Sequence, residues 1–191
     1  MLALSSSGAI MMQAYVSWVI AHPFLSTALQ FALLGTLGEI VAASLKRRKI
    51  SLPCGWLQLG AKVLAWALLG LVIKYGFIGM KGFTQALLDK GMLPNFMAHG
   101  MGKAFAVSVL TNAFFGPQMM AFHRIEDNFI LGEKGFGGIE RAWWTLLWFW
   151  VPAHTITFSL PQEYQIGLAA VWGLVLGIIL GLAKPAPKVE R

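Results

Sequence analysis

A handful of polar side chains stand inside otherwise apolar runs: Glu39, Lys62, Lys74, Lys103, Asn112, Gln118 and His154. Polar groups at such positions are costly in lipid, so each is a candidate for pairing, for lining a water-accessible cavity, or for handling a solute. Glu39 and Lys62 lie at similar depth from the same end of two successive runs, which predicts that they pair or bridge through water. Lys74 and Lys103 lie at similar depth toward the opposite end. They either snorkel to the interface or face a shared aqueous cavity attractive to anions.

The four histidines, His22, His99, His123 and His154, form no HxxxH or HExxH pattern and have no carboxylate at ligand spacing. No common metal site is expected. No G-x-S-x-G and no phosphate-binding loop occurs, and the serines at 5 to 7 have no partner. The single cysteine, Cys54, rules out an internal disulfide and a cysteine-based metal cage. The expected catalytic, cofactor and metal residues are therefore none, and no enzyme is expected.

These side chains must be positioned by a very apolar chain. Of 191 residues, 57% are hydrophobic and 12% charged, and the mean hydropathy is +0.66. A soluble domain carries about 25% charged residues, so the composition predicts an integral membrane protein. The net charge of +7 lies in short gaps between apolar runs, without a basic stripe interleaved with aromatics, which argues against nucleic-acid binding. The N-terminus has no cationic region before its apolar part, so the first twenty residues are expected to stay on the mature protein.

A helix crosses a bilayer in roughly 20 residues. Five runs qualify, at about 24–45, 55–79, 96–122, 142–160 and 164–183. The run at 9–21 is too short, and with His22-Pro23 behind it reads as an interfacial helix. Residues 82–96 read as a short amphipathic piece plus a turn, residues 184–191 as a solvated tail, and His123 to Asp127 as the solvated cap of span three. Pro161 with Gln162 and Glu163 joins the last two spans as a tight hairpin. The fold class is all-α: a single multi-pass membrane domain over 1–191.

With the N-terminus outside, ten cations fall on the inner side, Lys46 to Lys49 among them, and only Lys81 and Lys90 on the outer side. That asymmetry predicts the orientation and places the C-terminus inside. Trp148 and Trp150 fall near mid-membrane, where packing between helices is expected. Ala169, Gly173, Gly177 and Gly181 recur every four residues, a smooth stripe suited to close helix packing or to a homodimer seam. Gly35, Gly38 and Ala42 offer a similar face on span one.

Three stretches resemble the Mpv-seventeen family of peroxisomal and mitochondrial inner-membrane proteins, which has bacterial relatives. The first is YVSWVIAHPFLSTALQFALLGTLGEIVAASL, with Pro23 and Thr27 matching and Glu39 where the family carries Asp. The second is ALLDKGMLPNF, with Asp89 and Pro94 matching and Lys90 in place of Gln. The third is WFWVPAHTITFSLP followed by AAVW. There Val151 separates Trp150 from Pro152, Thr157 replaces an Asn, and Trp172 comes about a turn early. An Arg expected after the last proline is missing. The resemblance implies a helical membrane protein without a cofactor, for which pore-like passage of solutes has been proposed. The expected function is a small channel or transporter-like pore for small solutes. The alternative is an accessory subunit packed on a larger membrane complex. The expected partners are the lipid bilayer and a homo-oligomer or a larger complex.

Overall fold

The computed structural model describes residues 6–183; side-chain surroundings of Ser6, Gly181 and Ala183 are outside that description, as is the tail at 184–191. The described chain is all-helical. Helix α1 is Ser6–Ala21, α2 Pro23–Arg47 and α3 Trp56–Asp89; a 3₁₀ turn at Asn95–Met97 follows. Helix α4 is Gly100–Leu131, α5 covers 139–159 and α6 is Gln162–Ala183.

Four helices are long and apolar enough to cross a membrane: α2, α3, α4 and Gln162–Leu180 of α6. These make the chain a membrane protein. The run expected at 142–160 is an unbroken helix, α5, but is less apolar than the others because it carries four Trp, three Thr, Pro152 and His154. Two other boundaries differ from expectation. Helix α3 runs on through Lys81 to Asp89 rather than ending at 79, because nothing in KGFTQALLD breaks a helix until Gly91 (φ +65°). Helix α4 runs to Leu131, so residues 123–127 form its eighth turn rather than a cap beyond it.

The ends of the helices follow from local chemistry. Pro23 opens α2, where its missing N–H costs nothing. Arg48, left-handed at φ 53°, closes α2, and the chain turns back with Lys49 N–H on the Ser44 carbonyl. Arg47 donates to the Leu52 carbonyl at 3.0 Å, and Ser44 exchanges hydrogen bonds with Ser51. Part of the basic run therefore ties down the α2–α3 loop. At the other end of α2 the chain bends sharply at His22, because Tyr15 reaches back to donate to Gln30 Oε1 at 3.1 Å and stacks on Tyr164. A straight continuation would separate Tyr15 from Gln30 by about 22 Å at 1.5 Å per residue.

Packing partners give the topology. Gly35 lies under the Trp66 indole, Gly70 under Phe31, and Phe24 stacks on Tyr75, so α2 and α3 are antiparallel. Lys62 meets Asp127, Trp66 meets His123, and Gly76 meets Phe115, so α3 and α4 are antiparallel too. Gly116 abuts Leu146 and Ser108 bonds the Val151 carbonyl, joining α4 to α5. Trp172 donates to Thr157, joining α5 to α6. Helix α6 then returns to α2, parallel to it: a Cβ on Gly177 would come 3.3 Å from the Gly38 carbonyl oxygen, and one on Gly38 3.3 Å from Leu174 Cα. The five helices close a ring. The core groups Phe31, Phe77, Ile166, Ala169 and Ala170 on one side, with Phe149, Ala153 and Leu176 on another.

Candidate functional site

Lys62 is the most buried charge of the ring, with 4% of its side chain exposed. It sits two turns into α3, facing α2 and α4 together. Its ammonium lies 2.8 Å from Glu39 Oε2 and 2.6 Å from Asp127 Oδ1. The Trp66 indole, one turn further along α3, donates to Glu39 Oε1 at 2.7 Å. Its ring lies 4.7 Å from that of His123, whose Nε2 is 4.0 Å from Asp127 Oδ2. A buried ammonium is tolerated only when its protons meet acceptors; here two carboxylates supply them.

Glu39, His123 and Asp127 each offer a ligand atom, all within 4.8 Å of one another. The expectation of no carboxylate at ligand spacing therefore needs correction, since His123 and Asp127 stand four residues apart on one helix face. The Lys62 ammonium already sits between the two carboxylates, where a metal ion would. The same contacts correct the reading of His123 to Asp127 as a solvated cap: three-quarters of the Asp127 side chain is covered.

A second polar unit lies further along the ring. Asn112 Nδ2 donates to the Ser108 carbonyl at 2.8 Å, which fixes the amide's orientation. The same nitrogen is 3.2 Å from His154 Nδ1, so Nδ1 accepts and the imidazole proton is on Nε2. His154 Nε2 has no hydrogen-bond partner among the described residues. Asn112 sits in a π turn, Thr111–Phe115, closed by Gly116 N–H on the Thr111 carbonyl. The facing helix α5 has its own π turn, Leu146–Trp150, closed by Val151 N–H on the Leu146 carbonyl. A proline follows each turn by two residues, Pro117 and Pro152. A proline ring clashes with the carbonyl four residues back and supplies no N–H, and a widened turn ahead of it accommodates both defects. The Val151 carbonyl accepts from both Ser108 and Thr155 at 2.7 Å.

Between these two units lies a cavity of about 320 Å³. All five ring helices line it: Phe31 to Ala42 of α2, Trp66 to Phe77 of α3, Thr111 to His123 of α4, Ala142 to His154 of α5, and Ala169 to Leu180 of α6. Each stretch covers about 16–18 Å of helix at 1.5 Å per residue, so the cavity is an elongated slot parallel to the helices. Glu39 and His123 stand toward one end; Asn112, Thr111 and His154 stand further along. The wall between is aromatic and aliphatic. Three lining residues carry a buried polar atom without a hydrogen-bond partner: Thr111 Oγ1, His123 Nδ1 and Trp150 Nε1. Such atoms each cost about 1–3 kcal/mol.

The structure brings together Glu39 with Lys62 and Asn112 with His154, but not Lys74 with Lys103. Lys103 donates to Gln85 Oε1 at 2.6 Å, and Gln85 donates to Asp89. Lys74 makes no ion pair or hydrogen bond among the described residues, and neither lysine lines the cavity. Lys81, further along the same helix, donates to Gln165. Gln118 is exposed. Trp148, expected between helices, is 52% exposed, whereas Trp150 lines the cavity and packs on His154. The small-residue stripe divides by position. Gly177 meets Gly38 backbone to backbone, Ala169 is core, and Gly173 faces open space on the cavity wall. Gly181 lies in α6, with its surroundings outside the description.

Sequence reasoning missed Asp127, His123 and Trp66. Spacing held the signal, because Trp66 is four residues from Lys62 and Asp127 four from His123, each pair sharing a helix face. Cys54, in the α2–α3 loop, feels this cluster. Burial raises its thiol pKa above the usual value; the Lys62 ammonium opposes that rise, and the Glu39 and Asp127 carboxylates add to it. No protein-family model, no curated protein and no solved structure matches this chain.

Proposed function

We propose that this chain is a transporter-like membrane protein that passes a small solute through the slot at the centre of its helix ring, as its resemblance to the Mpv-seventeen family implies. The observation that carries this reading is the slot itself: every ring helix contributes to one cavity, and His154 on its wall keeps an Nε2–H without a hydrogen-bond partner among the described residues. A wall this apolar favours an occluding carrier over an open aqueous channel, since a hydrated ion would give up its water and gain few ligands. In this reading the Glu39–Lys62–Asp127 cluster is a gate at the inner mouth, with the basic loop after α2 inside and α1 at the outer surface.

An accessory-subunit reading has two observations in its favour. Lys62, the most buried charge, is paired within the chain. Many large apolar side chains face outward along the helices, Leu33, Leu64 and Trp144 among them. Proteoliposomes loaded with a panel of small metabolite-sized solutes separate the two. Protein-dependent, saturable flux supports transport. Flux equal to that of empty liposomes for every solute, with a stoichiometric membrane partner in mild-detergent purification, supports the accessory subunit.

A further inference from the structure

We propose that the slot binds an uncharged, slender, mainly apolar molecule of roughly dodecyl length that carries a hydrogen-bond acceptor facing His154. This deepens the transport reading and rests on it for the ligand's passage, though not for its binding.

Shape comes first. About 320 Å³ is at the lower end of small-molecule sites, and about twice an engineered apolar cavity of ~150 Å³ that holds benzene. Spread over some 16–18 Å of helix, that volume suits a chain in extended form rather than a compact fused ring. The wall suits it too. Phe31, Phe77, Leu69, Ile73 and Leu176 give apolar contact, and Met119 and Met120 adapt to a flexible chain.

Charge comes second. The one carboxylate on the wall, Glu39, already has the Lys62 ammonium and the Trp66 N–H on its two oxygens. A cationic ligand would therefore gain little from it. An anionic ligand finds no cation on the wall, because Lys62, Lys74 and Lys103 all lie off it. Burying a ligand charge without a partner is prohibitive, so the ligand is uncharged.

Orientation comes third. His154 is buried, its Nδ1 is engaged by Asn112, and its Nε2–H has no acceptor among the described residues. That free donor suits a hydroxyl, carbonyl or ester oxygen. Long-chain alcohols, aldehydes and protonated fatty acids are the class that fits.

The test uses the full chain in nanodiscs of saturated lipid, with tryptophan fluorescence quenched by brominated probes; Trp66 and Trp150 line the slot. The probes are a terminally brominated dodecanol, bromododecane and a brominated dodecyl-trimethylammonium. The control is Gly173→Leu, which fills the slot at a position where an added Cβ meets nothing within 4 Å. The expected result is saturable quenching by the dodecanol, absent in Gly173→Leu. Half-saturation should come at about tenfold lower concentration than for the alkane, the share one hydrogen bond supplies. His154→Phe should erase that preference while keeping alkane binding. Quenching linear in probe content and unchanged in Gly173→Leu overturns the proposal, as does tightest binding by the ammonium probe. Saturable quenching without solute flux overturns the transport reading alone. Flux of polar solutes with only linear quenching overturns the ligand class alone.

Discussion

Lys62 carries two carboxylates, and this changes what its neighbours are worth. With Glu39 and Asp127 ionised, the three side chains sum to one negative charge. Lys62→Met strands two carboxylates that are three-quarters or more covered, and breaking a buried pair costs about 3–5 kcal/mol. Glu39→Gln leaves a neutral Lys62–Asp127 pair and costs about 1–2 kcal/mol, chiefly from its weakened hydrogen bonds. Thermal unfolding in mild detergent should rank Lys62→Met well below Glu39→Gln, with the double variant recovering part of the Lys62→Met loss. Equal losses that simply add would mean that Glu39 and Lys62 are energetically independent. Cys54 offers a second readout at this scale. Its thiol titrates above the ordinary value, so maleimide labelling, which needs thiolate, should be slow near neutral pH and accelerate later than a free thiol as pH rises. Glu39→Gln removes a charge that disfavours thiolate and should speed labelling at a given pH. Lys62→Met removes one that favours it and should slow labelling. An identical rate–pH profile in all three proteins would separate Cys54 from the cluster.

Among the helices, α2 and α6 come closest, and glycine makes that possible. A Cβ on Gly177 would stand 3.3 Å from the Gly38 carbonyl oxygen, whereas one on Gly173 meets nothing within 4 Å. Residues on one stripe therefore have opposite consequences. Gly177→Leu forces backbone against side chain and should destabilise by about 2–4 kcal/mol, as overpacking at a tight site does. Gly173→Ala adds helix propensity without a clash and should be neutral or gain up to about 1 kcal/mol. Melting temperatures that fall equally for both would mean that the whole stripe is packed. The π turns before Pro117 and Pro152 work at the same scale. Each re-aims the helix after it, and together they set Asn112 of α4 against His154 of α5.

For the whole molecule, the ring order α2–α3–α4–α5–α6 matters most, because closure of α6 on α2 turns five apolar helices into walls of one slot. The same alternation puts the loop holding Cys54 at the end of the bundle that carries Lys46 to Lys49. With the basic end inside, a membrane-impermeant maleimide at alkaline pH should leave Cys54 unlabelled in sealed right-side-out vesicles and label it after permeabilisation. Labelling in sealed vesicles would reverse the orientation. Since Cys54 is the only cysteine, the native chain suffices.

Composition and the length of apolar runs were enough to establish a helical membrane protein, because a span must satisfy its backbone within itself and so writes its signature locally. Proline and glycine punctuation was enough to put the helix starts near Pro23 and after Pro161. Equal depth on successive helices was enough to suggest Glu39 with Lys62. The ends of α3 and α4 escaped a reading tuned to apolarity, since a helix continues past the last apolar residue until something breaks it, here Gly91 and Gly132. The shared-cavity alternative for Lys74 and Lys103 fails on depth itself, because Lys103 meets Gln85, about 16 Å beyond Lys74 along α3. Which face of α3 meets which neighbour is decided by side chains more than sixty residues apart, as Lys62 and Asp127 are. The slot is a property of ring closure, set by how five helices pack and not by the pattern of any one of them.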